Sequence, residues 1–197
     1  LSSCNIIAKS QGVISGVNVV KRVFELYDNT LVFENYKSDG EEVFNNEKIA
    51  NVSGKMASIL SSERVALNFI QRMSGISTET NKLVKYISST STKLIDTRKT
   101  TPGYRMLDKY AVKMGGATNH RINLSEAVLI KDNHIEALLN DGYNLTKIIN
   151  MVRDSVSSEI KIEIEVESIK DAIESIEAGA DIIMLDNMSI KDMEEIV

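Results

Sequence analysis

Short apolar runs that stop abruptly at charged residues recur through the second half of the chain. Lys93-Leu94-Ile95 runs into Asp96, Thr97, Arg98 and Lys99; Ala127 to Ile130 into Lys131, Asp132 and Asn133; Ile182 to Leu185 into Asp186 and Asn187. Runs of this length bounded by polar turns read as buried parallel strands. Between them, Asn144 to Val156 and Ser168 to Ala178 have helical spacing. Strand and helix therefore alternate, as in a β/α barrel or an open α/β sheet. In both architectures ligands sit at the carboxyl ends of the strands, where these charged residues fall.

The first 88 residues have a different pattern and read as a separate α+β unit, which places a domain boundary at 88/89. Gly12 and Gly16 bracket a short β-rich stretch, Val17 to Tyr27 is helical in spacing, and Thr30 to Tyr36 reads as a strand. Ser38-Asp39-Gly40 then gives a turn expected to join hairpin strands. From Ser62 to about Ser88 apolar residues recur at Ala66, Phe69, Ile70, Met73, Ile76, Leu83, Val84 and Ile87, the stripe of one long amphipathic helix. Ser62 is the expected N-cap, with Glu63 near the positive end of the dipole and Arg64 in the first turn. Tyr104 to Met114 reads as a short helix stopped by Gly115-Gly116.

Charge adds a second layer. The chain is acidic overall, at −5, yet Arg98, Lys99, Arg105, Lys109, Lys113, His120, Arg121 and Lys131 cluster between Leu94 and Ile135, with both histidines and the only proline. A cationic cluster at strand ends and turns suits a multiply charged anion. Pro102 fixes φ and Gly103 permits a sharp change of direction, so the turn after Arg98 and Lys99 is rigid. Arg suits two-point recognition of a carboxylate, whereas Lys acts as a compact charge. Against this stands Ile162-Glu163-Ile164-Glu165-Val166-Glu167, where strand periodicity puts three carboxylates on one face and the aliphatics on the other.

Other classes are constrained by composition. At 197 residues with 43% hydrophobic content the chain can bury a sizeable core in one or two domains. No apolar run approaches the ~20 residues that span a membrane, so a cytoplasmic location is expected. Net negative charge and 5% aromatic residues argue against nucleic-acid binding; an RNA-binding domain built on the basic cluster would lack stacking platforms. Cys4 is alone and reads as a bland thiol. His120 and His134 lack the close spacing of a metal motif, and His134 reads as a structural hydrogen bonder at a strand-end turn.

Several unusual strings occur together: Asp96-Thr97-Arg98-Lys99-Thr100-Thr101-Pro102-Gly103, Gly115-Gly116, Asn119-His120-Arg121-Ile122-Asn123-Leu124, Leu129-Ile130-Lys131-Asp132-Asn133-His134 and Leu185-Asp186-Asn187-Met188, with Glu63-Arg64-Val65-Ala66-Leu67-Asn68 and Ser74-Gly75-Ile76 upstream. In that order they resemble quinolinate phosphoribosyltransferase, also called nicotinate-nucleotide pyrophosphorylase (carboxylating), from about Ile6 onward. The resemblance implies an α/β chain with an N-terminal α+β sandwich domain (1–88, with the long helix at its end) and a β/α barrel domain (89–197). It implies transfer of the phosphoribosyl group of phosphoribosyl pyrophosphate to quinolinate with decarboxylation, a glycosyltransferase step in NAD biosynthesis.

Residue by residue, the resemblance assigns substrate binding to Arg64, Thr97, Arg98, Lys99, His120, Arg121, Lys131, Glu165 and Asp186, with Lys99, Lys131, Glu165 and Asp186 as the catalytic set. Glu165 and Asp186 are expected to face the ribose and Mg²⁺, directly or through water, and Arg64 to enter the neighbouring subunit's site in a homodimer. The chain begins at Leu1 and ends at Val197 with about four barrel strands, so an incomplete, C-terminally truncated barrel is expected. A non-catalytic pyridine-carboxylate-binding module, or a related phosphoribosyltransferase using another acid, stays open as an alternative.

Overall fold

The computed structural model describes residues 2–197. Its elements, in chain order, are β1 (Ser2–Ile7), β2 (Gly12–Val13), α1 (Val17–Tyr27), β3 (Val32–Asn35), β4 (Glu42–Val43), β5 (Lys48–Gly54), α2 (Met56–Ile87), α3 (Arg105–Met114), β6 (Ala127–Ile130), α4 (Asp132–Asn140), α5 (Leu145–Ser155), β7 (Lys161–Val166), α6 (Ile169–Glu177), β8 (Ile182–Leu185) and α7 (Ile190–Ile196). The chain is thus α/β, and it divides into two compact units, one up to Ile122 and one from Asn123.

In the first unit β1, β5 and β3 form an antiparallel sheet with β5 in the centre. Its core joins Ile49, Ala50 and Val52 of β5 to Val17, Val20 and Phe24 of α1 and Ile59, Ala66 and Ile70 of α2. Phe24 stacks on Phe33 of β3, their ring centroids 6.1 Å apart. The expected hairpin about Ser38-Asp39-Gly40 is not formed: β3 pairs with β5, whereas β4 pairs with β2. Asp39 explains why this turn is held without strand pairing. Its Oδ1 accepts from Val17 N, which caps α1, and its Oδ2 accepts from the Tyr110 hydroxyl. Burial and the adjacent Asp39 carboxylate push the Tyr110 phenol up to about 12.

The long helix is longer than its periodicity suggests. It starts at Met56, with Lys55 as N-cap. Ser62 is therefore no cap; its hydroxyl, buried in the helix, donates to Ser58 O at 2.7 Å. No helix breaker separates Met56 from Ser62, and Ile59 is buried in the core, so packing carries the helix two turns further back. Arg64 then lies more than two turns in and is exposed. The buried stripe Ile59, Ser62, Ala66, Ile70, Met73, Ser77 and Thr80 steps by three and four residues along one face. Its distal half receives α3, where Ser77 Oγ donates to Ala111 O at 2.8 Å. The approach is close enough that a Cβ on Gly115 would fall 2.6 Å from Ser77 O.

The second unit is a parallel three-stranded sheet, β6-β7-β8, with helices after each strand. Residues paired across parallel strands share a face, and residues two apart along a strand share it too. Val128, Ile130, Ile162, Ile164, Val166, Ile183 and Leu185 all occupy one face and pack against α4, α5 and α6. The alternate positions Leu129, Glu163, Glu165 and Met184 occupy the other. In the first unit, by contrast, the expected strand at Leu94-Ile95 shrinks to one parallel bridge, Ile95 to Thr118, because Ile95 is exposed and supplies no burial to extend the pairing. Asn144 and Ser168 cap α5 and α6 with their side chains.

One charged cluster ties the second unit together. Asp181 accepts from Arg153 Nη2, Lys161 Nζ and Ile162 N, joining α5 to the entry of β7 and β8. These donors, Arg153 foremost, hold its carboxyl below the ordinary aspartate range. A depressed folded-state pKa contributes stability that is present above the unfolded value of about 3.9 and is lost as pH falls below it. The cluster is close to solvent, so its contribution is discounted to about 1 kcal/mol. Asp181→Asn is expected to lower the urea midpoint at pH 7, and by progressively less as pH falls below about 3.9 towards the depressed folded-state value; a loss that does not shrink on acidification would count against the assignment.

Candidate active site

Within the first unit the expected basic residues lie on two segments held by α3. The Thr97 hydroxyl accepts from Lys99 N at 3.0 Å and Arg98 O from Thr100 N at 2.9 Å, so the chain folds tightly around both cations. Arg98 Nε is buried yet has no hydrogen-bond partner among the described residues. A buried guanidinium nitrogen without an acceptor is costly, which is the arrangement expected where an anion completes the shell. Lys99 is exposed, while His120 and Arg121 are half-buried on the second segment.

Not every cation in the cluster faces a ligand. Lys109 is buried, its Nζ 2.6 Å from Asp96 Oδ1 and 3.0 Å from His120 O. Asp96 also accepts from His120 N at 2.7 Å and from Asn119 Nδ2 at 2.8 Å. Arg105 is likewise turned inward, towards Thr100 Oγ1 and Ile122 O. Behind the Thr100 to Gly103 turn, Arg72 grips both oxygens of Asp108 at 3.0 and 2.8 Å and donates to Thr101 Oγ1 at 2.7 Å. Its guanidinium also lies over the Tyr104 ring. These supporting residues, Arg72, Asp96, Asp108, Lys109 and Asn119, were not singled out as such from the sequence. One signal was available: Asp108 shares the α3 face of Ala111 and Gly115, where an apolar residue is the norm.

In the second unit the strand register brings the remaining expected residues to one place. Leu129 pairs with Glu163, so Lys131, two residues on, shares the face of Glu163 and Glu165. Glu165 pairs with Met184, so Asp186 shares that face too. Lys131, Glu165 and Asp186 thus follow one another across the carboxyl ends of three neighbouring strands. Lys131 Nζ lies 3.7 Å from Glu165 Oε2, with the Glu165 side chain 14% exposed. Asp186 accepts from Asn187 Nδ2 at 2.9 Å, and its own N–H donates to Val166 O. Glu163 is buried beneath this row, whereas Glu167 lies just past the strand end and is exposed. His134 is the expected structural hydrogen bonder: its Nδ1 accepts from Lys131 N at 3.1 Å and fixes the turn into α4.

Hard oxygen donors are what Glu165 and Asp186 offer. No group of three or more His, Cys, Asp or Glu side chains among the described residues could hold a metal by itself. A pair of carboxylates fits a cation such as Mg²⁺, which keeps waters and shares substrate phosphates, better than one needing an all-protein cage. At the carboxyl end of β7 a cavity of about 640 Å³ opens, lined by Asp132, Glu136, Glu165, Glu167, Asp171 and Glu174 among others.

Comparison with known proteins decides the family. The model of the quinolinate phosphoribosyl transferase N-terminal domain matches residues 2–74, and that of the C-terminal domain matches 76–197. The chain belongs to the quinolinate phosphoribosyl transferase family. Relatives within it include the probable nicotinate-nucleotide pyrophosphorylases [carboxylating] of Bacillus subtilis, 43% identical over 92% of this chain, and Synechocystis sp., 40% identical over 95%. The chain spans 62% of the length of each of these two. Among solved structures of the family, NadC from Streptococcus pyogenes superposes with a TM-score of 0.93 at 41% identity, over 98% of this chain and 67% of that one. The nicotinate-nucleotide pyrophosphorylase of Francisella tularensis gives 0.94 at 39% identity, over 100% and 68%. No helix of the described residues is long and apolar enough to cross a membrane.

Proposed function

We propose that this chain serves the family's phosphoribosyl transfer: quinolinate and phosphoribosyl pyrophosphate react to give nicotinate mononucleotide, pyrophosphate and carbon dioxide, a step in pyridine nucleotide and NAD biosynthesis. The observation that carries it is the row of Lys131, Glu165 and Asp186 at the ends of adjacent parallel strands. Such strand ends are where α/β folds place ligands. The parallel strands with their following helices are read as part of a β/α barrel, and the antiparallel unit as the α+β sandwich domain.

In this reading the ring nitrogen of quinolinate attacks the anomeric carbon of the ribose as the bond to pyrophosphate breaks. Positive charge develops on the ribose, and fixed carboxylates at Glu165 and Asp186 stabilise it. Arg98, Lys99, His120 and Arg121, with the Thr97 turn, bind and orient the two substrate carboxylates, and the family resemblance assigns substrate binding to Lys131 as well. Arg64, exposed on α2, joins from a second copy in a homodimer. Glu165 and Asp186 would hold Mg²⁺, in part through water, and the bound ion would supply charge neutralisation for the departing pyrophosphate. The positive charge of the quaternised ring nitrogen then stabilises the carbanion left on the neighbouring ring carbon by loss of carbon dioxide, and a proton taken from solvent completes nicotinate mononucleotide, so no protein nucleophile is required.

Pyrophosphate release from phosphoribosyl pyrophosphate, with and without Mg²⁺ and with quinolinate or nicotinate as acceptor, tests the proposal. Release that needs both quinolinate and Mg²⁺ is expected. Equal release with nicotinate would indicate a different acid acceptor, and quinolinate binding without release would indicate a non-catalytic binding module.

A further inference from the structure

Two neighbouring residues of α3 reach in different directions. Asp108 accepts Arg72 on both oxygens and Thr101 N on Oδ2, so it holds the turn that follows Arg98 and Lys99. Lys109 reaches Asp96 and His120 O, so it holds the segment carrying His120 and Arg121. The side chains of Lys109 and Asp96 are 3% and 8% exposed. Asp96 returns a bond to His120 N, so the His120 residue is gripped at its N–H through Asp96 and at its carbonyl through Lys109.

A buried ion pair adds little net stability over an apolar pair of the same volume, because desolvating both charges offsets their attraction. What this pair does supply is geometry. Two backbone atoms of one residue are fixed by charge-assisted bonds that tolerate only small displacements, and the side chains on that backbone inherit the constraint. The Arg72–Asp108 fork does the same for the other segment, by two parallel bonds plus the bond to Thr101.

We infer that Asp108 and Lys109 are a pair of positioning residues for recognition of the pyridine dicarboxylate, Asp108 setting the Arg98–Lys99 turn and Lys109 setting His120 and Arg121. This rests on the proposed function for the identity of the ligand, but the two arms of the splint are separable. Neither residue touches substrate in this scheme.

The chain has only two histidines, and His134 is fixed separately by Lys131 N in the second unit. The imidazole resonances therefore report on the Lys109 arm, with His134 as an internal control. Lys109→Met is expected to shift the His120 resonance, leave that of His134 in place and weaken quinolinate binding about thirtyfold by calorimetry. Asp108→Asn is expected to weaken binding about tenfold with the His120 resonance unmoved. Should Lys109→Met fail to fold, the neutral pair Asp96→Asn with Lys109→Gln leaves no buried lone charge and is expected to reproduce the His120 shift. An unmoved His120 resonance in the Lys109 variants, an equal shift in Asp108→Asn, or unchanged quinolinate affinity in both arms overturns the inference. Absence of quinolinate binding by the unmodified protein would instead defeat the functional reading, while the resonance arm still decides whether α3 sets His120.

Discussion

Replacing Arg98 with Glu is expected to abolish quinolinate binding. Arg98 stands in a turn closed by the Thr97 hydroxyl and the Thr100 amide, and its Nε is buried without an acceptor among the described residues. The proposed substrate carboxylate supplies that acceptor. Charge-assisted bonds contribute about 1.5–3 kcal/mol each. Losing two, before any repulsion between like charges, amounts to about 4 kcal/mol, roughly a thousandfold in affinity. Arg98→Lys keeps the charge but loses the planar fork, and a smaller loss of about tenfold to a hundredfold is expected. Calorimetric titration with quinolinate checks both; retained tight binding by Arg98→Glu would remove Arg98 from the site.

The largest expected effect on stability comes from Phe24→Ala. Phe24 is 2% exposed, lies in the core between α1, β5 and α2, and stacks on Phe33. Truncation removes its burial and leaves a cavity that a core flanked by a 32-residue helix closes only in part. Phe→Ala changes of this kind cost about 3–5 kcal/mol, a large share of the stability of a domain this size. A urea unfolding midpoint within experimental error of the unmodified protein would show that the site collapses without loss. Phe24→Leu, which keeps much of the volume, should recover most of the midpoint.

The parts of this molecule that could be read from its sequence are those where local pattern and burial agree. Ala127 to Ile130, Ile162 to Val166 and Ile182 to Leu185 are dense in aliphatics and end at charged residues, and each forms a strand. Asn144 and Ser168 mark the starts of α5 and α6 because their side chains satisfy helical amide groups. The start of α2 was hidden because Lys55 caps without a side-chain bond, leaving nothing in the sequence to mark it. Strand partnership in the first unit was hidden for another reason: β3 pairs with β5 across the intervening β4, and adjacency in sequence favours the wrong neighbour. Of the candidate site, the strand-end positions of Lys131, Glu165 and Asp186 were legible. The inward commitment of Lys109 was not, because Asp96 lies thirteen residues away and nothing local distinguishes a buried lysine from a solvated one.

The strict alternation in β7 carries a consequence for how this chain can change length. Its aliphatic positions meet the helices and its acidic ones the opposite side, so deleting one residue between Lys161 and Val166 would exchange the two sets downstream of the cut. Carboxylates would then be driven against Ile148 and Ile149, and isoleucines would stand beside Lys131. Only changes of two residues at a time keep the sorting intact, so single-residue insertions and deletions in this strand should be lethal to folding where those in the flanking turns are absorbed.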